Sequence, residues 1–281
     1  MISATPKKYM LSVAPNGARK TQEDHPRLPI TPAELAECAK AALAANANMI
    51  HMHVRDDAGG HSLDIARYEA ATAAVRRAVG KELVVQITTE AVGIYAPEQQ
   101  IALVRATRPE AVSVALREVL PDDGYLSDAT MFFQWMHTQH VAAQYILYDV
   151  ADVEKYAALR RTGAIPEGRH WVLFVLGRYS AGQVSSPSDL LPFLRAWEAA
   201  DVAGAKPEWA MCAFGKQEAD CAVAALALGG HARIGFENNM YLPSGELAPD
   251  NAALLRAVAA PAASLAYTAG TADELRRLLA V

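Results

Sequence analysis

The stretch Met49-Ile50-His51-Met52-His53-Val54-Arg55-Asp56 is an apolar run that carries two histidines and then ends in charge. Side chains alternate faces along a β-strand, so His51 and His53 leave from one side, roughly 7 Å apart along the backbone. Two imidazoles placed this way can share one divalent ion, while Ile50, Met52 and Val54 pack on the opposite face. Two histidines that serve only packing remain the alternative, and the surrounding chain has to decide between them.

On both sides of this strand, short apolar runs alternate with amphipathic, alanine-rich segments. Besides the histidine strand, strands are expected at residues 10–15, 83–89, 111–116, 144–150, 171–177, 209–215 and 232–237. Thr31-Pro32-Ala33-Glu34 opens the first helix with a capping threonine, a proline at the first helical position and a glutamate three residues after the cap. That helix is expected to reach residue 47, and others follow each strand, the last near 272–280. Strands this continuously apolar suit a parallel sheet buried on both faces. Eight such units predict one α/β domain, a (β/α)8 TIM barrel spanning residues 1–281. An open doubly wound sheet is the other option, but no G-x-G-x-x-G follows the first strand and no Walker-type loop is present.

Composition agrees with a large core: 52% of the 281 residues are hydrophobic and 20% are charged. A formal net charge of −5 offers no basic field for nucleic acid. No apolar run approaches the length of a membrane span, and residues 1–16 read as a strand rather than a signal peptide. Cys38, Cys212 and Cys221 lack metal-site spacing and are expected as buried thiols in a reducing cytoplasm.

In such a barrel the C-terminal ends of the strands form the active site. In the eighth strand Arg233, Gly235 and Glu237 share a face by period two, with Ile234 and Phe236 on the helix side. That strand closes against the first, and the histidine strand comes next, so Glu237 can reach His51 and His53. Two histidines and a carboxylate with an open fourth position form the ligand set of a catalytic zinc, although manganese or cobalt suit it too. Gly235 is expected to leave room for a ligand. A purely structural Arg233–Glu237 ion pair is the competing reading. Thr88, Thr89 and Glu90 end the third strand, Ser113 lies in the fourth, and Arg19 and Lys20 place cations after the first. His25 and His61 fall in loops, with His61 expected to be a solvated turn residue. His137, His140, His170 and His231 are not expected to be ligands.

Together the N-G-A at 16–18, L-P-I-T-P at 28–32, H-M-H-V-R-D at 51–56, V-Q-I-T-T at 85–89 and G-G-H-A-R-I-G-F-E-N-N at 229–239 resemble the β-keto acid cleavage enzymes, the family of the 3-keto-5-aminohexanoate cleavage enzyme. The resemblance implies a zinc-dependent barrel that condenses a β-keto acid with acetyl-CoA. It then splits the product into acetoacetate and a new CoA thioester. It makes His51, His53 and Glu237 the zinc ligands, Arg233 the eighth-strand arginine, and Thr88 and Ser113 substrate-contacting hydroxyls. It also implies a homo-oligomer, a tetramer. Three departures stand out. Asn238 replaces an aspartate linked to proton transfer and cannot be a general base, which leaves Glu90 beside Arg233 and Asn238 in the candidate catalytic set. Arg19 and Ile146 replace two glutamates that bind a cationic amino group, which favours an anionic tail such as that of 3-oxoadipate or 3-oxoglutarate. An Arg19–Glu90 pair would cancel that signal. A metal-dependent hydrolase of the amidohydrolase type and a metal-stabilised binding protein for small acids remain rival functions.

Overall fold

The apolar runs become eight parallel strands, in chain order β1 (Leu11–Val13), β2 (Met49–Met52), β3 (Val84–Thr88), β4 (Ala111–Ala115), β5 (Ala142–Leu147), β6 (His170–Leu176), β7 (Trp209–Ala213) and β8 (His231–Ile234). β8 pairs with β1 through Arg233 and Ser12, and the sheet closes as a barrel. The structure is a computed structural model that describes residues 7–279. Among the described residues, no helix is long and apolar enough to cross a membrane.

Helices follow the strands and cover the barrel's outer face, as the alternation of apolar runs and amphipathic segments requires. The first, Pro32–Ala44, begins with the anticipated reciprocal cap: Glu34 N donates to Thr31 Oγ1 at 3.2 Å and Thr31 N donates to Glu34 Oε2 at 2.8 Å. It stops short of residue 47, and the expected end of the last helix at Ala280 lies outside the described residues.

Two buried clusters separate by strand face. Ile50, Val85, Ile87, Val112 and Val114 pack outward with the helices. Met49, Val84, Ala111, Ala142, Trp171 and Ala210 fill the barrel's lower interior, and Leu275 from the closing helix Ala272–Leu278 packs with them. Higher in β2, β3, β4, β5 and β8 the residues of the same inward parity include the buried polar His51, Gln86, Thr88, Ser113, Gln144 and Arg233, while Ala115, Ile146, Leu173 and Val175 keep an apolar wall on β4, β5 and β6. The barrel is thus oily at its base and polar on one side toward the strands' C-terminal ends, where parallel barrels carry their chemistry.

Most strand bounds shift by one or two residues from expectation, and two ends fall three residues short, each for a local reason. β5 stops at Leu147 rather than 150 because Asp149 caps the next helix, its side chain accepting from Asp152 N at 2.9 Å. β8 stops at Ile234, so Glu237 is not a strand residue and period-two alternation does not place it. The chain turns at Gly235, Asn238 N and Asn239 N both donate to Gly235 O, and Glu237 N reaches across to Ala14 O at 3.1 Å. Gly235 does not leave space for a ligand. A Cβ there would overlap the Ala14 carbonyl oxygen, so the glycine admits the backbone of β1's end.

At the opposite end, His170 accepts from Tyr156 Oη at 2.7 Å and from Arg160 Nη1 at 2.8 Å. Burial and the Arg160 charge push this imidazole down to about 3.

Gly235→Ala should therefore destabilise the protein by about 2–4 kcal/mol in denaturant unfolding, through overpacking and backbone strain. A loss under about 0.5 kcal/mol would show that the two strand ends can part cheaply. His170 holds its proton less tightly folded than unfolded, so its contribution is complete above about pH 6.5 and is lost as pH falls toward 3. His170→Gln should make melting temperature fall less steeply between pH 7 and 4.5, a difference of about 3 kcal/mol over that window, and an unchanged slope would contradict it.

Candidate active site

β2 delivers His51 to the barrel interior, and His53, expected in the same strand, follows directly after its last residue, Met52; each is 1% exposed. Glu237 arrives from the turn after β8. His51 Nε2 and His53 Nε2 lie 3.2 Å apart, and each is 3.4 Å from Glu237 Oε2. These three are the only group of metal-capable side chains among the described residues to converge in this way. Corners of a tetrahedron with arms of about 2.0–2.1 Å, the lengths of zinc–nitrogen and zinc–oxygen bonds, lie about 3.3–3.4 Å apart.

Protonation chemistry makes the same demand. Glu237 Oε2 is buried and accepts no hydrogen bond. Burial alone would raise its carboxyl, but Arg233, donating to Oε1 at 2.8 Å, and the two histidines hold it well below the usual range. Burial lowers both imidazoles, with Arg233 adding to the effect at His51, and His53 falls to about 3. Two neutral imidazole nitrogens and a carboxylate oxygen aim their lone pairs at one point, an arrangement that a divalent cation satisfies. His51 Nδ1 meanwhile donates to Gln86 Oε1 at 2.8 Å, which leaves Nε2 free to ligate.

Several sequence features are explained as supports for this group. Asn16 clasps the backbone of His53 from both sides: His53 N donates to Asn16 Oδ1 at 3.2 Å and Asn16 Nδ2 donates to His53 O at 3.0 Å. Gly17, with φ of +62°, lies so close to Glu237 that an added Cβ would come within 2.6 Å of Glu237 Cγ. Arg55 faces away from the chemistry and ties the loop after β1, donating to Gly17 O at 2.6 Å and Lys20 O at 2.8 Å. Lys20 donates to the carbonyls of Phe236 and Glu237 at 2.7 and 3.1 Å, holding the turn that presents the carboxylate. Asn16, Arg55 and Lys20 act through main-chain atoms, which no side-chain pattern reveals.

One cavity runs from these groups to the barrel mouth and is lined by His51, His53, Thr88, Glu90, Arg233 and Glu237, with Arg19 and Arg178 farther out. Glu90 Oε2 lies 3.8 Å from His53 Nδ1, while its Oε1 meets Arg19 at 3.0 Å and Arg178 at 3.3 Å. Burial, reinforced by the charges of Glu237 and Glu118, lifts the Glu90 carboxyl to about 7. Ser113 and Asn238 are not among the cavity's lining residues. Ser113 Oγ lies 3.2 Å from Thr88 Oγ1 and meets the cavity only through it. Asn238 is buried with neither end of its amide hydrogen-bonded.

The loop histidines also fall into place. His61 is not a solvated turn residue. It is 7% exposed, its ring centroid is 5.2 Å from that of His53, and its Nε2 donates to Glu90 O at 2.8 Å. His25 packs on Phe236 and bonds Ala248 O, pinning the first loop. His231 sits at the barrel's other end, accepting from Met10 N. Arg178, in the loop after β6, is a site cation that the sequence reading did not single out, because no strand or motif marks its inward turn.

Known proteins resemble this chain along its whole length. The 3-keto-5-aminohexanoate cleavage enzyme of Acetoanaerobium sticklandii is 25% identical over 277 residues, 98% of each chain. The 3-oxoadipate:acetyl-CoA acetyltransferase of Cupriavidus necator is 27% identical, over 96% of this chain and 94% of that one. The 3-dehydrocarnitine:acetyl-CoA trimethylamine transferase of Rhizobium meliloti is 26% identical, over 97% and 96%. Among solved structures, apo ObcA superimposes on 90% of this chain with a TM-score of 0.71 and 16% identity, and this chain spans 65% of ObcA's length. That likeness speaks for the fold. The model of the β-keto acid cleavage enzyme family matches residues 8–281, and the chain belongs to that family.

Proposed function

We propose that this protein is a zinc-dependent enzyme that condenses an anionic-tailed β-keto acid with acetyl-CoA and splits the product into acetoacetate and a new acyl-CoA. The carrying observation is the convergence of His51, His53 and Glu237 within 3.4 Å of one another at the wall of a cavity in a chain of this family. Relatives named as acetyl-CoA transferases support acetyl-CoA as the second substrate. A mixed histidine–carboxylate set supports zinc.

When bound, zinc supplies a Lewis acid for the keto oxygen and a counter-charge for the substrate carboxylate. Glu90 takes a proton from C2 of the keto acid. It lines the cavity and belongs to no ligand set, and burial raises its carboxyl, which strengthens it as a general base; the part of that rise that comes from the Glu237 charge would be offset by a bound cation. The C2 carbanion attacks the thioester carbonyl of acetyl-CoA and expels CoA thiolate. The thiolate adds to the 3-keto carbon, and the C2–C3 bond breaks to give the new acyl-CoA. Its electron pair stays on C2 of acetoacetate, to which Glu90 returns the proton. Arg233, buried and charged, keeps Glu237 aimed at the histidines. Thr88 presents its hydroxyl to the substrate, backed by Ser113.

The tail charge follows from the arginines. Arg19 and Arg178 meet at a single carboxylate oxygen of Glu90, and Glu118 lines the same cavity. A second substrate carboxylate that enters between the two guanidiniums would take them as partners. Homo-oligomeric assembly as a tetramer belongs to the same proposal, and exposed apolar side chains such as Ile94, Met131 and Tyr179 are surface that subunits would cover. Three free cysteines support a reducing cytoplasm.

The test is a coupled assay of zinc-loaded protein with acetyl-CoA and cationic, neutral and anionic β-keto acids, read as acetoacetate and new thioester. Turnover should favour the dicarboxylates and stop when zinc is chelated. Arg178→Gln and Arg19→Glu should each lower kcat/KM for a dicarboxylate by about 10–100-fold, one charge-assisted pair, and lower it less for a neutral-tailed acid, which feels only the altered surroundings of Glu90. Equal loss on all tails would remove the arginines from substrate selection. Glu90→Gln should lower kcat by about 10²–10⁴-fold with zinc content retained, whereas a variant within threefold of wild type would rule Glu90 out as the base.

A further inference from the structure

Behind the histidines lies a polar chain that neither substrate nor solvent reaches. His51 Nδ1 donates to Gln86 Oε1 at 2.8 Å, and Gln86 Nε2 donates to Gln144 Oε1 at 3.3 Å. Both glutamines are inside the barrel, 0% and 1% exposed. Neither lines the cavity. We propose that Gln86, itself held by Gln144, is a positioning residue that fixes the ring plane and the tautomer of His51 for metal binding. This inference rests on the metal reading of the site.

The geometry is built by register. His51 on β2 stands opposite Gln86 on β3, so their side chains are neighbours on the inner wall. Gln144 on β5 is two strands from Gln86, beyond β4. The inward residues of β4 at this level are Ala111 and Ser113, small enough for the two glutamines to meet across them. A larger residue at either position would separate the pair.

The chain also has a direction. A neutral imidazole carries one N–H, and a metal needs the lone pair of Nε2, so the proton belongs on Nδ1. With its oxygen toward that proton, Gln86 turns its amide nitrogen to Gln144 Oε1, and every link is a donor facing an acceptor. The reversed Gln86 amide would aim a donor at Nδ1, push the proton to Nε2 and block ligation. It would also set its oxygen against Gln144 Oε1. While Gln144 keeps its oxygen toward Gln86, the productive orientation is the bonded one; Gln144 Nε2 is itself buried without a hydrogen bond, so the bias on Gln86 lasts only as long as Gln144 holds that orientation. Leaving a buried amide unpaired costs on the order of 1–3 kcal/mol, the size of that bias. His53 has no such partner: its Nδ1 is buried without a hydrogen bond, with Glu90 3.8 Å away. The two histidines are therefore unequal, with His51 fixed from behind and His53 held through its backbone by Asn16.

The experiment measures zinc affinity of the metal-free protein by competition with a chromogenic chelator, with melting temperature of the metal-free form recorded alongside. Gln86→Met keeps the shape and removes the acceptor, and should weaken zinc binding about 10–100-fold. Gln86→Glu keeps an acceptor for Nδ1–H and should bind zinc at least as tightly as wild type. Gln144→Met touches no proposed ligand and should weaken binding by a smaller factor. Packing alone would lower the metal-free melting temperature without separating Met from Glu at position 86. Equal affinities across wild type, Gln86→Met and Gln144→Met would overturn the proposal, as would equal losses in Gln86→Met and Gln86→Glu. If Gln86→Met does not fold, unchanged affinity in Gln144→Met overturns it. Zinc bound tightly by wild type with no effect of these variants leaves the site standing without the relay. A wild-type protein that takes up no zinc overturns both.

Discussion

Three lone pairs aimed at one buried point, from His51 Nε2, His53 Nε2 and Glu237 Oε2, set the terms for the upper half of this barrel. A buried carboxylate without compensation costs several kcal/mol, and neutral imidazoles beside it repel through their lone pairs. The surroundings are arranged to hold that cluster together. Arg233 takes one oxygen of Glu237 and leaves the other for the histidines. Asn16, Gly17 and Lys20, all just after β1, fix the backbone of His53 and of the Glu237 turn. Closure of β8 on β1 is therefore a functional requirement as well as a topological one: the two halves of the candidate metal site lie on opposite sides of that seam.

Electrostatics divides the cavity into two zones. Deep inside, Arg233, Glu237 and the imidazoles form a tightly compensated set. Farther out, Glu90 faces Arg19 and Arg178 on one side and His53 on the other. Its burial between the charges of Glu237 and Glu118 favours the neutral acid, while the arginines favour the carboxylate. A group balanced in that way suits proton transfer, and the same arginines suit recognition of an anion. The proposed base and the proposed tail-binding arginines are thus paired with each other, so a substrate tail that draws Arg19 and Arg178 away from Glu90 would also raise its basicity. Substrate charge and catalytic readiness are coupled in this reading.

Much of this was legible in the chain. The period of the apolar runs implied eight parallel strands, because strands buried on both faces carry unbroken hydrophobicity. His-x-His on a strand implied two imidazoles on one face, because a pleat repeats every two residues. Glu237 illustrates the limit. Alternation along 232–237 assigned it the correct destination by a route the backbone does not take, since the strand ends at Ile234 and a turn brings the carboxylate round. Gly235 looked like space for a ligand and proved to be space for Ala14 O. His61 looked solvated because a turn precedes it, yet that turn folds back as a short hairpin and buries the ring beside His53.

The sequence by itself determined the barrel, the identity of the converging residues and the family, because periodicity and motif spacing are properties of neighbours along the chain. Tertiary structure alone decided that Arg178 joins Arg19 on Glu90, that Asn16 and Lys20 hold main-chain atoms of the site, and that Gln86 and Gln144 meet behind His51. Those contacts join residues up to 217 positions apart, Lys20 and Glu237 among them. They depend on which side chains are small enough at the intervening strands and on how the last strand closes against the first, and no local pattern encodes either.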